Sequence, residues 1–154
     1  MPPVFTKRLA ERLTSQGQIR VNEGKTGDIL QPGQAWLAPG DYHMVVERYG
    51  TQVRLCTHQA PPENSCRPAV DVLFRSVAKT YQEGVLAVVL TGMGQDGLHG
   101  CQCIHEVGGQ ILVQDESSSV VWGMPGIVAN AGLASKILPL KQMANEIRRR
   151  IPNC

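Results

Sequence analysis

Apolar residues recur along this chain at two periods, and the change from one to the other divides it. Val4, Phe5, Leu9 and Leu13 fall near helical spacing, with Gly17 placed to stop that helix. Between Gln18 and Gly40 the pattern breaks up around Gly and Asp, leaving short extended segments at Gln18–Val21 and Ala35–Ala38. Tyr42–Glu47 and Gln52–Thr57 flank Tyr49-Gly50 and predict an antiparallel hairpin. Gln59–Pro68 carries three prolines and an Asn, so it reads as a loop that stays ordered only by lying against something.

After that loop, helix and strand alternate. Val70, Leu73, Phe74, Val77, Ala78 and Tyr81 form an apolar helix face, ended by Gly84. Val85–Leu90 is a continuous apolar run, as expected for a parallel strand buried on both faces. A helix over Leu98–Val107, a strand at Gln110–Gln114 and a sheet extension at Val120–Trp122 follow. A short helix from Pro125 to Ala131, a strand at Lys136–Leu138 and a last helix over Leu140–Arg150 complete the pattern. This order calls for right-handed crossovers and a parallel sheet, hence an α/β domain. No internal repeat or low-complexity segment interrupts it.

The 154 residues suit one domain. Fifteen basic against thirteen acidic residues, a net +2, are too balanced to make nucleic acid or membrane the main partner. The one dense basic cluster, Arg148–Arg150, fits a helix C-terminus, where cations complement the dipole. Five cysteines (Cys56, Cys66, Cys101, Cys103 and Cys154) lack the regular spacing of a disulfide framework and fit free thiols in a reducing cytoplasm. Cys101 and Cys103, two apart on a helix, point in different directions. No second Cys or His pair joins them to make a zinc site, so no metal is expected. Neither a signal peptide nor an apolar run of membrane-spanning length is present.

Chemistry concentrates in Leu90-Thr91-Gly92-Met93-Gly94-Gln95-Asp96-Gly97, which leaves the buried strand and enters a helix. Sites in open α/β sheets form outside the carboxyl ends of the strands, where such loops lie. Three readings compete. In the first the glycines merely permit a tight turn. In the second, Gly92, Gly94 and Gly97 match G-x-G-x-x-G and Asp115 supplies the acid that ends the next strand, making a dinucleotide site. Asp96 counts against this one, because a pyrophosphate and a carboxylate would compete for the same helix amides. In the third, Asp96 is held ionised and fixed in direction by a helix N-terminus, as suits a carboxylate that orients a catalytic histidine.

Residues along the whole chain bear on the choice. Thr91-Gly92-Met93-Gly94-Gln95-Asp96-Gly97 resembles the TGMGxDG signature of the chemotaxis-receptor methylesterase (CheB-type) family. Ala38-Pro39-Gly40-Asp41-Tyr42-His43-Met44, Arg67–Phe74 and Gln114–Pro125 resemble further family blocks in the family's order, and Met1–Thr6 resembles the segment just after its catalytic histidine. The resemblance implies hydrolysis of glutamate γ-methyl esters on the cytoplasmic helices of chemoreceptors, with glutamine deamidation as a further activity, and no cofactor. It implies a modified doubly wound α/β fold with a mostly parallel sheet and an added antiparallel hairpin, the N-terminal strands missing, with Asp96 as the triad acid and Met93 lining the substrate pocket. Arg67 and His43 match blocks near the site without an implied catalytic role.

The family's serine lies in a Gly-rich motif after the first strand of its domain and its histidine after the second, and residues 1–154 begin past both. The chain is therefore expected to be a partial catalytic domain without a receiver domain, inactive alone. Ser117–Ser119, His43, His58, His99 and His105 include no evident substitute for the missing pair. Without the first strands, an unpaired sheet edge and an apolar Val4/Phe5/Leu9 face favour self-association. A receptor-docking module without chemistry, and the dinucleotide domain, are the alternatives.

Overall fold

The computed structural model describes residues 2–151. Their order is α1 (Pro3–Gln16), β1 (Arg20–Glu23), β2 (Gln34–Leu37), β3 (His43–Tyr49), β4 (Gln52–His58), α2 (Val70–Tyr81), β5 (Leu86–Val89), α3 (Leu98–Glu106), β6 (Gln110–Gln114), α4 (Met124–Asn130), β7 (Lys136–Leu138) and α5 (Leu140–Arg150). β5, β6 and β7 form a parallel sheet in that order, β3 and β4 an antiparallel hairpin, and β1 and β2 a short parallel pair. The expected α/β architecture is the observed one.

Period-two alternation explains how the parallel sheet is buried on both faces. Along β6, Ile111 and Val113 join Ala87 and Val89 of β5 against α3 and α4, with Cys101, Ile104 and Val128 completing that layer. Leu112, between them, turns to the other face and meets Leu138, Met143 and Ile147 under α5. Each fully buried aliphatic side chain of this kind contributes about 1.5–3 kcal/mol. Helix α2 is the hinge of the packing. Phe74 and Ala78 face the sheet layer, while Leu73 faces Met44, Val46 and Leu55 of the hairpin.

Two glycines let α2, α3 and their loops approach closely. A Cβ on Gly100 would stand 2.4 Å from the Cβ of Phe74, so α3 meets α2 there nearly backbone to backbone. Gly97, the N-cap of α3, has φ of 97°, a left-handed conformation that glycine adopts without strain.

Differences from the sequence pattern are instructive. The hairpin turn falls on Gly50-Thr51, since Tyr49 pairs with Gln52. α2 stops at Tyr81, where Gln82 turns left-handed, and Gln82–Gly84 forms a 3-10 turn. Val120–Trp122 adds no strand; one parallel bridge, Gly92 to Trp122, ties it to the glycine loop. In α1 the buried positions among the described side chains are Thr6 and Ala10, while Val4, Phe5, Leu9 and Leu13 face solvent. Thr6 Oγ1 donates to Glu23 at 2.5 Å and accepts from the Gly40 N–H at 3.0 Å, so polar bonding chose that face. Cys154 lies outside the described residues.

Candidate active site

The segment after β5 is fixed by a lattice of backbone bonds to the segment before α4. Gly92 N–H donates to Val121 O, and Gly123 and Met124 N–H both donate to Gly92 O. Thr91 Oγ1 accepts from Val121 N at 2.9 Å and donates to Val121 O at 3.1 Å. A Cβ on Gly123 would come within 2.6 Å of Gly92 O, so only glycine lets the two segments lie this close. Buried Gln114, at the end of β6, accepts from Thr91 N and donates to Ser118 O. The bond pattern leaves the Gly92–Gly97 loop little freedom at the carboxyl edge of the sheet.

Asp96, only 6% exposed, ends this loop. Sequence order places it beside the N-terminus of α3, yet its carboxylate caps α2 instead. Oδ2 accepts from Val70 N at 2.7 Å, and Oδ1 from Asp71 N at 3.0 Å, the first two residues of α2. Asn64 Nδ2 adds a third donor to Oδ1 at 3.2 Å. Asp71 returns the capping crosswise: fully buried in the first turn of α2, it accepts from Gly100 N of α3 at 2.7 Å. Two helix N-termini thus converge on two carboxylates. Among the described residues no Lys, Arg or His hydrogen-bonds to either one; helix amides and Asn64 donate to them, and the Arg75 guanidinium acts on Asp71 through space. A carboxylate has about four lone-pair positions, and among the described residues Asp96 engages three, two on Oδ1 and one on Oδ2. One acceptor position on Oδ2 remains.

Met93 sits three residues before Asp96 and is 86% exposed. Val120, on the segment that pairs with this loop, is 90% exposed. His43 is fully buried: its Nδ1 accepts from Ala69 N at 3.2 Å, which leaves Nε2 to donate to Pro61 O at 3.1 Å. Both nitrogens are thus occupied in organising the 59–69 loop. Arg67 holds Asp41 at 2.7 Å and the Ala60 carbonyl at 3.2 Å, and its guanidinium keeps the Asp41 carboxyl below the usual range. His99 is exposed and pairs with Gln102. Ser117 and Ser118 donate to Asp115, and Ser119 Oγ to its carbonyl, in a turn after β6. The Ser118 and Ser117 hydroxyls, Ser118 first, lower the Asp115 carboxyl from its ordinary value. No serine or histidine bonds to Asp96 among the described residues.

The second reading of the glycine loop meets two obstacles here. Asp115 is engaged by its own turn, and the first turn of α3 already receives Asp71, beside Asp96. A diphosphate would face both carboxylates. Asn64 and Asp71 are the site residues that periodicity did not mark. A buried Asp at the second position of an apolar helix was the available signal. Burial pushes the Cys101 thiol up to about 12, with Asp71 adding to it, so this cysteine is an inert core residue. No described group of His, Cys, Asp and Glu has a metal-binding arrangement, and no described helix is long and apolar enough to cross a membrane.

A parallel sheet with helices on both faces and its chemistry gathered on a loop at the carboxyl edge defines a doubly wound α/β domain, a class shared by hydrolases and nucleotide binders. Comparison with known proteins narrows the class: the chain belongs to the CheB methylesterase family, whose model matches residues 1–147. A protein-glutamate methylesterase/protein-glutamine glutaminase of Trichodesmium erythraeum (strain IMS101) is 70% identical over 151 residues, covering 98% of this chain and 43% of that protein. One from Nocardioides sp. (strain ATCC BAA-499 / JS614) is 52% identical, over 98% of this chain and 41% of that protein. This chain therefore spans less than half the length of these relatives. The crystal structure of the Thermotoga maritima CheB methylesterase catalytic domain superposes with a TM-score of 0.95 at 35% identity, covering 98% of this chain and 80% of that one.

Proposed function

We propose that this chain supplies the acid of a Ser-His-Asp esterase that hydrolyses glutamate γ-methyl esters, and deamidates glutamines, on the cytoplasmic helices of chemoreceptors. The observation that carries the reading is Asp96: buried, fixed by three donors, and left with one acceptor position on Oδ2. An imidazole N–H at that position would have its tautomer set and its positive charge stabilised. The other nitrogen then takes the serine proton as Oγ attacks the ester carbonyl, and returns it as methanol leaves. Water releases the glutamate in the second half of the cycle. The exposed Met93 side chain forms part of the apolar wall against which the receptor side chain lies.

The serine and histidine come from outside the described residues, so the isolated chain turns over no methyl ester. Mixing it with a separate segment bearing those two groups restores methanol release from methylated receptor, and Asp96→Ala abolishes it. Restored activity that survives Asp96→Ala would sink the reading; turnover by the isolated chain would sink its dependence on an external serine and histidine. The esterase acts in the cytoplasm, where the receptor helices lie. The solvent-facing Val4, Phe5 and Leu9, with the edge of β5 unpaired among the described strands, favour self-association of the isolated chain. Sedimentation showing only monomer at micromolar concentration would contradict that.

A further inference from the structure

The 59–69 loop contributes no strand or helix, yet it is pinned from several sides. Glu63 and Cys66 exchange backbone bonds at 3.1 and 2.7 Å. Glu63 also takes a two-pronged ion pair from Arg75 of α2, at 2.9 and 2.6 Å, and this holds its carboxyl below the ordinary range. His43 of β3 holds Pro61 O and Ala69 N on either side. Between these anchors Asn64 and Ser65 both adopt left-handed backbones, with φ of 50° and 60°. Such conformations cost free energy in non-glycine residues and persist where the surroundings dictate them. Here they aim one amide group.

Asn64 Nδ2 donates to Asp71 Oδ2 at 2.9 Å and to Asp96 Oδ1 at 3.2 Å, so both of its N–H bonds end on carboxylates. The flipped amide would set an oxygen against two anions, so the orientation is fixed. Asp71 carries the constraint onward through Gly100 N into α3. The consequence for Asp96 is directional. With Asp71 N and Asn64 both on Oδ1, that oxygen is full, and an approaching imidazole finds a free lone pair only on Oδ2. Without the Asn64 amide, each oxygen would offer one position and the imidazole two docking directions.

We propose that Asn64 and Asp71 are positioning residues of the esterase, closing Oδ1 of Asp96 so that the histidine is received on Oδ2 alone. The inference rests on the esterase reading above. Its test is steady-state kinetics in the intact enzyme with Asn64→Gly, which tolerates the left-handed turn, Asn64→Asp, which keeps shape but cannot donate when ionised, and Asp71→Asn, which keeps the acceptor for Gly100 while opposing the Asn64 amide. Each should lower kcat on the order of tenfold or more, since small misplacements of reacting groups cost up to about 10²-fold. KM should stay within about twofold, the mark of an interaction made in the transition state. Asp96→Asn, run beside them, should cost about 10⁴-fold, as for triad acids in serine hydrolases. If Asp96→Asn collapses kcat while the Asn64 variants keep it, the positioning role is overturned and the esterase reading stands. If Asp96→Asn keeps kcat, that reading itself fails. A rise in KM at constant kcat would make Asn64 a docking residue and overturn the proposal. Should Asn64→Gly not fold, Asp71→Asn, which brings no further negative charge into the cluster, decides the question.

Discussion

Asp96→Asn isolates the structural half of the site, and the isolated chain suffices to read it. The carboxylate receives three donors, from Val70 N at 2.7 Å, Asp71 N at 3.0 Å and Asn64 Nδ2 at 3.2 Å. An amide of the same shape has one acceptor and one donor end. Turned with its oxygen toward Asp71 and Asn64, it keeps two bonds and sets its NH2 against the Val70 N–H. Turned the other way, it keeps one bond and opposes two donors. The better orientation forfeits one charge-assisted bond, about 1.5–3 kcal/mol, and weakens the other two by removing the charge. Relief of repulsion from Asp71 returns part of that, leaving a net loss of about 2–3 kcal/mol. In a domain of this size each kcal/mol moves Tm by about 2–4 °C, so melting should fall by about 4–12 °C. Calorimetry or circular dichroism at neutral pH reads the shift, with Glu116→Gln, at an exposed carboxylate, as the control. An Asp96→Asn protein that melts within about 1 °C of the parent would refute the capping account.

Other consequences follow from particular contacts. Gly100→Ala brings a Cβ within 2.4 Å of Phe74 Cβ, which no rotamer relieves. It should destabilise by about 1–3 kcal/mol despite a helix-propensity gain of about 1 kcal/mol. Gly84→Ala, where a Cβ meets nothing within 4 Å, should be near neutral, both variants being compared with the parent by urea titration. Glu146 is lowered from 4.5 to about 2, first by its bond with Arg150 and then by Lys136 and Arg149. A depressed carboxyl stabilises the fold above its unfolded value and loses that contribution as pH falls. The stability gap between parent and Glu146→Gln should therefore be full at neutral pH and shrink from pH 4.5 toward about 2; a gap that widens on acidification contradicts this. Exposed Cys66 should react with a thiol reagent in the native protein, while buried Cys101 waits for unfolding. Equal rates, resolved by mass spectrometry of the labelled peptides, would disprove the burial argument.

What the sequence determined by itself was local. The apolar run ending at Leu90, the spacing in α2 and the basic end of α5 specify their elements through periods of 2 and 3.6, because burial on one or two faces leaves that imprint within a few residues. β6, β7 and α5 lie where the pattern placed them. The glycine loop and its aspartate were legible for the same reason: a strand-to-helix turn needs particular residue types at particular places.

Tertiary structure decided the partners. Asp96 precedes α3 but caps α2, whose first residues stand 26 and 25 positions earlier, and it shares Asn64 across 32. The close approach of α2 and α3 at Gly100 brings the two N-termini together, and no local propensity encodes that geometry. The same holds for α1, whose buried face is the polar Thr6 side because Glu23 and Gly40 meet it there. At the basic C-terminal cluster, Arg149 and Arg150 close on Glu146 with Lys136 of β7, so two of those charges are ion-paired within the fold. Hydrophobic period fixes what a segment is; which buried donor meets which acceptor depends on how segments pack, and the chemistry of this site resides in those meetings.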